Sequence, residues 1–196
     1  MELTEKGLEN SRVKLANFGE DFREPLRATN AVDYMWQSMP AIQRGASFDT
    51  YFDHVLRQIA SGEMVPFAIL DSTKGDQFIG VTSFIEPRRV HRRVKLGYTW
   101  IIPELRGKGV YAAVQSLLIQ RALDWGARRI SWHIEDRNPR AIRAIESLGA
   151  IKEGVLRQRQ RFNDGEWGDI VVLSMLREEA KEGVRRLNAR LAELDA

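Results

Sequence analysis

Hydrophobic and polar residues recur along the chain with two different periods. Phe52, Val55 and Ile59 lie three or four positions apart, which is the spacing of one face of a helix. Between residues 65 and 102 the apolar positions alternate with a period of two, which is typical of strands with one buried face. The pattern therefore predicts helices in the first sixty residues and then an antiparallel meander.

Applied to the whole chain, these periods predict seven strands and five helices. The predicted strands are Val13–Phe18, Val65–Leu70, Phe78–Glu86, Val94–Ile102, Arg129–Ile134, Ile151–Phe162 and Trp167–Leu176. The predicted helices are Glu20–Ala31, Phe48–Ser61, Val110–Trp125, Ala141–Leu148 and Glu178–Leu194. This order predicts an α/β fold, a mixed sheet with helices on both faces, in a single domain over residues 1–196. The core is expected at about residues 13–176, with a C-terminal helix over 177–196.

Composition narrows the chemistry. The chain of 196 residues has no cysteine, which excludes disulfides, thiol nucleophiles and cysteine-based zinc sites. Its three histidines show no metal-ligand spacing, so no metal site is predicted. No apolar run approaches the roughly 20 residues of a membrane span, and the first residues are acidic and polar. We therefore expect a soluble cytoplasmic protein.

The stretch IIPELRGKGVYAAV joins a strand to a helix through two glycines. Backbone amides at a helix start attract phosphate, and glycine allows a ligand to approach closely. A turn that needs glycine for its backbone angles explains the same residues. A dinucleotide site fits poorly, because the preceding strand belongs to a meander. The acidic residue at about the right distance for a ribose contact, Asp124, lies inside the helix and not at a strand end.

Several motifs in order resemble the GNAT superfamily of N-acetyltransferases, most closely its ribosomal-protein-alanine N-acetyltransferase branch. They are LGYTWIIPELRGKGV, NPRAIRAIESLGAIKEGVLR and DGEWGDIVVLSML, and the resemblance covers about residues 65–176. It implies a mixed, mostly antiparallel sheet in which one pair of parallel strands splays apart. It also implies direct transfer of an acetyl group from acetyl-CoA to a primary amine. That amine is either a protein N-terminal α-amino group or a small molecule such as an antibiotic or a polyamine.

The same resemblance implies a set of cofactor-binding residues, to which Arg143 is added because its charge could reach a coenzyme phosphate, a solvated helix face being the simpler interpretation. They are Trp100, Ile101, Ile102, Arg106, Gly107, Lys108, Gly109, Val110, Tyr111, Asn138 and Arg143. Main-chain groups of the first three are expected to pair with the pantetheine arm, and the loop amides to face the pyrophosphate. Tyr111 departs from the family pattern, which has Gly or Ala there, and Ala141 stands where the family often has Ser. Asn138 is also expected to cap the helix that Pro139 begins.

Direct transfer needs a proton acceptor for the amine and a proton donor for the departing thiolate. Glu135, just after a predicted strand, is the first candidate for the base. Tyr98 and Tyr111 are the hydroxyl candidates for the donor, with core packing an equally good interpretation of Tyr98 and solvent the other source of the proton. Asp136, Glu86, His91 and His133 are the alternative bases that the sequence offers. For His91 a solvated basic hairpin is the simpler interpretation, and for His133 a packed strand position.

Two other classes of function remain open from the sequence. A non-catalytic acyl-CoA-binding module would tolerate the departures at Tyr111 and Ala141. An RNA-binding protein would use the arginines at 157, 159 and 161, but the net charge is only +3 and no aromatic platform accompanies them. These arginines could also line an acceptor groove. A nucleic-acid partner is therefore not expected, whereas the C-terminal helix could pack on the domain or on a second copy in a homodimer.

Overall fold

One mixed sheet runs through the part of the chain that this computed structural model describes, residues 2–4, 7–29, 48–161 and 165–195. Its strands are β1 (Val13–Asn17), β2 (Met64–Asp71), β3 (Gln77–Arg88), β4 (Arg93–Ile101), β5 (Arg129–Glu135), β6 (Ile151–Arg161) and β7 (Trp167–Leu176). The helices are α1 (Arg23–Ala28), α2 (Phe48–Ala60), α3 (Val110–Trp125), α4 (Pro139–Ser147) and α5 (Arg177–Asp195).

The strands lie in the order β1-β2-β3-β4-β5-β7-β6, and all neighbours are antiparallel except β4 and β5. The parallel pair is short. Its register joins Arg93–Lys95 to Arg129–Ser131, after which the two strands are no longer paired. The remaining halves of β4 and β5 separate, so the split in the sheet that the sequence resemblance implied is present.

Alternating side chains give the sheet an apolar layer on each face. Along β2, Phe67 and Ile69 belong to the main core, whereas Ala68 and Leu70 belong to a second apolar cluster. The main core is covered by α3, α4 and α5, and the second cluster by α1 and α2. Because both faces of β2 are apolar, helices are required on both sides of the sheet.

A bulge interrupts β4 in the half that has left β5. Ser83 of β3 is opposite Gly97 and Val81 is opposite Trp100, so one more residue lies on β4 than on β3 between these pairs. Tyr98 takes the left-handed conformation there, with φ of 50°. The extra residue reverses the alternation, because Leu96 faces the main core but Tyr98 and Trp100 face the second cluster.

The C-terminal helix α5 completes the main core. Its Val184, Leu187 and Leu191 are buried in that core. Arg177 at its start donates to the carbonyls of Leu123 and Ala127, both at 3.1 Å, and so satisfies acceptors near the end of α3. None of the helices within the described ranges is long and apolar enough to cross a membrane.

The observed elements differ from the predicted ones mainly at their ends. The first predicted helix begins as a 3₁₀ turn, Glu20–Phe22, before α1, and its predicted last residues lie outside the described residues. Strand β3 extends two residues beyond the predicted end, to Arg88. The Asp164-Gly165 pair, a sequence typical of a hairpin turn between two strands, also lies partly outside the described residues.

Candidate active site

The split between β4 and β5 presents main-chain groups of β4 that β5 does not pair. The Ile102 amide donates to the Ile79 carbonyl of β3 at 3.0 Å, so it is already engaged. By strand alternation the backbone of Ile101 points to the other side, toward the split. Its carbonyl accepts a hydrogen bond from Nε of Arg106 at 3.0 Å. Of the three expected pantetheine contacts, Ile101 is therefore the residue whose backbone faces the split, with its carbonyl already bonded to Arg106.

A glycine-rich loop, residues 106–109, follows the end of β4 that is not paired with β5. A 3₁₀ turn over Pro103–Leu105 leads into it, and both Gly107 and Gly109 have positive φ, 79° and 82°. Helix α3 begins at Val110 without a side-chain cap among the described residues. Its first amides have no acceptor within the helix and carry the positive end of its dipole. These groups and the exposed Lys108 fit the pyrophosphate of CoA.

Tyr111 lies at the position where the sequence departs from the family pattern. Its side chain is partly buried against the main core, and this burial raises the pKa of its phenol. The ring is therefore accommodated by core packing, while the backbone of Tyr111 remains in the first turn of α3. The departure changes the packing under the loop and leaves the first-turn amide in place.

The residues at the end of β5 have defined structural roles. Oδ1 of Asn138 accepts from the amide of Ala141 at 3.1 Å, which confirms the predicted helix cap. Glu135 ends β5 and pairs with Arg137 at 3.2 Å. Arg143 is exposed on α4. Asp136 donates its amide to the Asp169 carbonyl at 3.1 Å.

A pocket of about 290 Å³ lies between α2 and the strands β2, β3 and β4. Its apolar wall consists of Phe18, Val55, Met64, Pro66, Val81 and Ile85. Its polar wall consists of Tyr51, His54, Gln58, Glu63, Ser83, Glu86 and Tyr98. This volume suits a small organic molecule.

Tyr98 connects this pocket to the split. The bulge turns its side chain to the face of the sheet that carries the pocket, whereas unbroken alternation would place it with Leu96 in the main core. Burial raises the pKa of the Tyr98 hydroxyl, and the nearby Glu86 carboxylate adds to the shift. The phenol therefore stays protonated at neutral pH, as a proton donor must.

The two carboxylates of the pocket each have a cationic partner. Lys95 Nζ contacts Glu86 Oε1 at 2.7 Å, and Arg88 Nη2 contacts Glu63 Oε2 at 2.7 Å. The hydrogen bond from Lys95 lowers the pKa of Glu86 below its usual value. Glu86 is therefore ionised at neutral pH. Of the two carboxylates in the pocket wall, it is the one closer in sequence to the part of β4 that has separated from β5.

Neither His91 nor His133 lines this pocket. His91 is exposed in the turn between β3 and β4, at the opposite end of β4 from the split. His133 lies on β5, where desolvation and the charge of Lys95 lower the pKa of its imidazole to about 4. Its imidazole is therefore neutral at pH 7, and it does not line the pocket. In the described parts of the chain, no group of three or more His, Asp or Glu side chains is placed to hold a metal ion.

The sequence missed most of the pocket. Tyr51 and His54 lie on α2. Glu63 lies just before β2, and Ser83 lies on β3. These residues carry no shared motif, because only the packing of α2 on the sheet brings them together. The predicted arginine face at positions 157, 159 and 161 is also altered. A register shift between Leu156 and Gln160, with positive φ at Gln158, interrupts its alternation.

Comparisons with known proteins agree with this geometry. The spermidine N(1)-acetyltransferase of Vibrio cholerae is 30% identical over 129 residues, which cover 63% of this chain and 70% of that protein. A T. thermophilus protein assigned to the acetyltransferases has a TM-score of 0.82 at 28% identity, covering 95% of this chain and 97% of that chain. A spermidine N-acetyltransferase from V. cholerae, solved with CoA and spermine, shares the fold, with a TM-score of 0.71 at 21% identity over 87% of this chain and 99% of that chain.

The split leaves an open strand edge, and the start of α3 without a side-chain cap is a helix terminus that can bind phosphate. Together these two features suit the binding of a CoA thioester. The ribosomal-protein-alanine branch suggested by the sequence is not confirmed, since the named relative acts on spermidine. The model of the acetyltransferase (GNAT) domain matches residues 12–151, the stretch that contains both features. The chain therefore belongs to the GNAT family, the N-acetyltransferases that use acetyl-CoA.

Proposed function

We propose that the protein acetylates a small primary amine that binds in the pocket between α2 and β2–β4. One observation carries this proposal: Tyr98 lines the pocket and also lies on the part of β4 that has separated from β5. An amine in the pocket and a thioester in the split would therefore meet at the same residue. Holding two reactants together in this way supplies much of the acceleration in a direct transfer.

The pocket favours an amine with a mainly apolar body. Half of its wall is aliphatic or aromatic, and its two carboxylates already pair with Lys95 and Arg88. A compact amine needs no further carboxylate partner, whereas each extra ammonium of a polyamine would have to compete with one of these cations. The name of the V. cholerae relative makes spermidine the polyamine to test.

The chemistry requires that the amine attack as a free base. The new C–N bond forms as the C–S bond of the thioester breaks, and acetyl-CoA supplies that thioester when it is bound. Glu86, ionised in the pocket wall, is the proton acceptor that the pocket favours, and Glu135 remains the candidate from the sequence. Tyr98 is the proposed proton donor to the departing sulfur.

The test is the release of free CoA thiol over a panel of acceptors. The panel contains tyramine and phenethylamine as apolar monoamines, spermidine, and peptides that begin with alanine or serine. The proposal expects turnover of the monoamines. Turnover of the peptides alone would favour the protein N-terminus that the sequence suggested. Binding of CoA with no thiol release from any acceptor would favour the non-catalytic module.

Two isosteric variants identify the proton acceptor. Glu86→Gln and Glu135→Gln each remove one carboxylate charge without changing the size of the side chain. The variant at the true base is expected to lose about 100-fold in kcat with little change in the Kd for CoA. The other variant serves as its control. An unchanged kcat in both would remove carboxylates 86 and 135 from the mechanism.

A further inference from the structure

The loop that precedes α3 is held from behind by Arg12, a residue just before β1. Nη1 of Arg12 donates to the carbonyl of Lys108 at 3.1 Å, and Nη2 donates to the carbonyl of Leu194 at 3.0 Å. One guanidinium therefore joins the cofactor loop to the last turn of α5. Its two N–H groups point in the fixed directions of a planar fork, so they specify where both carbonyls lie.

The segment that carries Arg12 is itself fixed. Oδ1 of Asn10 accepts from the amides of Arg12 and Val13, at 3.1 and 3.0 Å. Nδ2 of Asn10 donates to the carbonyl of Ala113 in the first turn of α3, at 3.2 Å. The backbone that carries Arg12 is therefore bonded through Asn10 to α3, the helix that the loop precedes. This bonding fixes the distance between Arg12 and the loop.

A hydrogen bond to the Lys108 carbonyl also determines the direction of the next amide. The peptide between Lys108 and Gly109 is planar and trans, so its C=O and N–H point in opposite directions. With the carbonyl directed at Arg12, the Gly109 amide is directed away from Arg12. A flip of this peptide would instead turn the N–H toward the guanidinium, where two donors would oppose each other.

The surroundings of the two glycines show which side is open. A Cβ added at Gly109 would lie 3.2 Å from Leu194 Cδ1 and 3.3 Å from Arg12 Nη1, so this side of the loop is packed. A Cβ added at Gly107 would meet nothing within 4 Å. Both glycines have positive φ and flank Lys108, and glycine permits many other backbone angles. Such a loop gains most from an external contact that selects one peptide orientation.

We propose that Arg12 is a positioning residue for acetyl-CoA, which fixes the Lys108–Gly109 peptide so that the Gly109 amide faces the pyrophosphate. This inference rests on the proposed function only in that the loop binds the cofactor. Arg12 acts through the loop backbone. Its loss should therefore weaken recognition of the phosphates and leave the transfer step at saturating cofactor unchanged.

The experiment compares Arg12→Met with the wild type, using acetyl-CoA and acetyl-pantetheine as acetyl donors. Acetyl-pantetheine carries the same thioester and no phosphate. We expect the KM for acetyl-CoA to rise about tenfold, the size of one lost hydrogen bond to a charged group. The kcat, the KM for the amine and the KM for acetyl-pantetheine should stay within twofold. Arg185→Met, which removes an exposed positive charge paired with Glu182, is the matched control for net charge.

Each other outcome contradicts the proposal. An equal rise in KM for both donors means general damage to the site, and an equal effect of Arg185→Met means long-range charge alone. An unchanged KM for acetyl-CoA means that Arg12 has no role in the loop. If Arg12→Met does not fold, Arg12→Gln, whose side chain is too short to bond both carbonyls as the guanidinium does, serves in its place. Calorimetric titration with CoA measures the same contrast without turnover, so an inactive acceptor panel does not affect this result.

Discussion

The position of the Tyr98 side chain is determined by the conformation of the backbone around it. The left-handed conformation at Tyr98 costs free energy, of the order of 1 kcal/mol for a residue other than glycine. The bulge that contains it moves the phenol from the main core to the pocket. Asn138, by contrast, could be assigned from the sequence because a helix cap is a local feature. The bulge could not, since apolar residues alternate through Tyr98 without a break.

Replacement of Tyr98 by Phe should remove the proposed proton donor and keep the packing. We expect kcat to fall by about 100-fold, with the KM for acetyl-CoA unchanged, because the hydroxyl is needed only as the thiolate departs. Steady-state kinetics at pH 7 measures both constants. Since burial raises the pKa of Tyr98, the wild-type rate should not decline through ionisation of this phenol below pH 10. A kcat equal to that of the wild type would assign the protonation step to solvent.

Gly80 is the residue of β3 that lies against the end of β4. A Cβ at this position would come within 2.2 Å of the Trp100 carbonyl oxygen, which belongs to the backbone and cannot move alone. Gly80→Ala should therefore lower the free energy of unfolding by about 3 kcal/mol, measured by urea denaturation.

Gly154 provides the matched control for that substitution. It is also a strand glycine, but a Cβ there meets nothing within 4 Å. Gly154→Ala should change the free energy of unfolding by no more than about 0.5 kcal/mol. Equal effects at the two positions would show that loss of glycine, and not the contact with Trp100, sets the cost.

At the scale of elements, an ion pair and a hydroxyl that bonds to it connect three strands. Arg129 of β5 pairs with Glu153 of β6 across β7, and Ser174 of β7 donates to the same carboxylate at 2.7 Å. These contacts, first the hydrogen bond from Arg129 and then that from Ser174, lower the pKa of Glu153 to about 2. The pairs hold the end of the sheet where β6 is an edge strand.

The lowered pKa gives a definite dependence of stability on pH. Because the folded state favours the charged carboxylate, Glu153 contributes its full stabilisation above the ordinary glutamate pKa of 4.5. That contribution declines below pH 4.5 and is lost near pH 2. The difference in Tm between the wild type and Glu153→Gln should shrink over this window, as followed by circular dichroism. Ser174→Ala should raise the lower limit of this window, because it removes one of the hydrogen bonds that lower the folded-state pKa of Glu153. A difference in Tm that does not vary with pH would contradict the assignment.

The elements themselves were largely predictable from the sequence. Alternation in β2 and β3 and the three- or four-residue spacing in α3 reflect burial against one sheet, which each element records in its own residues. The side chains of the pocket were not predictable, because Tyr51, Glu63 and Ser83 approach one another only after α2 packs on the sheet. Nor does the sequence record the register shift in β6, which depends on pairing with β7.

At the scale of the whole molecule, the cofactor should stabilise the fold. A ligand that binds only the folded state at 100 times its Kd adds about 2.7 kcal/mol. For a domain of this size that corresponds to a rise in Tm of about 5 to 10 °C. Differential scanning fluorimetry with acetyl-CoA, and with adenine alone as the control, measures it. No rise at millimolar acetyl-CoA would contradict the assignment of the loop and the split.

The same melting experiment addresses the prediction of a single domain. Helix α5 contributes Val184, Leu187 and Leu191 to the core that also contains residues of β1. A chain whose two ends share one core should unfold in one transition. Two separate transitions in the absence of ligand would show that the C-terminal helix is an independent unit.

The bulge in β4 has a consequence for how the substrate specificity of this enzyme can change during evolution. One strand provides both the backbone of Ile101 beside the split and the phenol of Tyr98 in the pocket. If the amine binds in the pocket and the thioester in the split, as proposed, substitutions in β4 that reshape one binding site should also disturb the other. New acceptor specificities should therefore arise through substitutions in α2, β2 and β3. The sequence of β4 should change more slowly among related enzymes that keep the same acyl carrier.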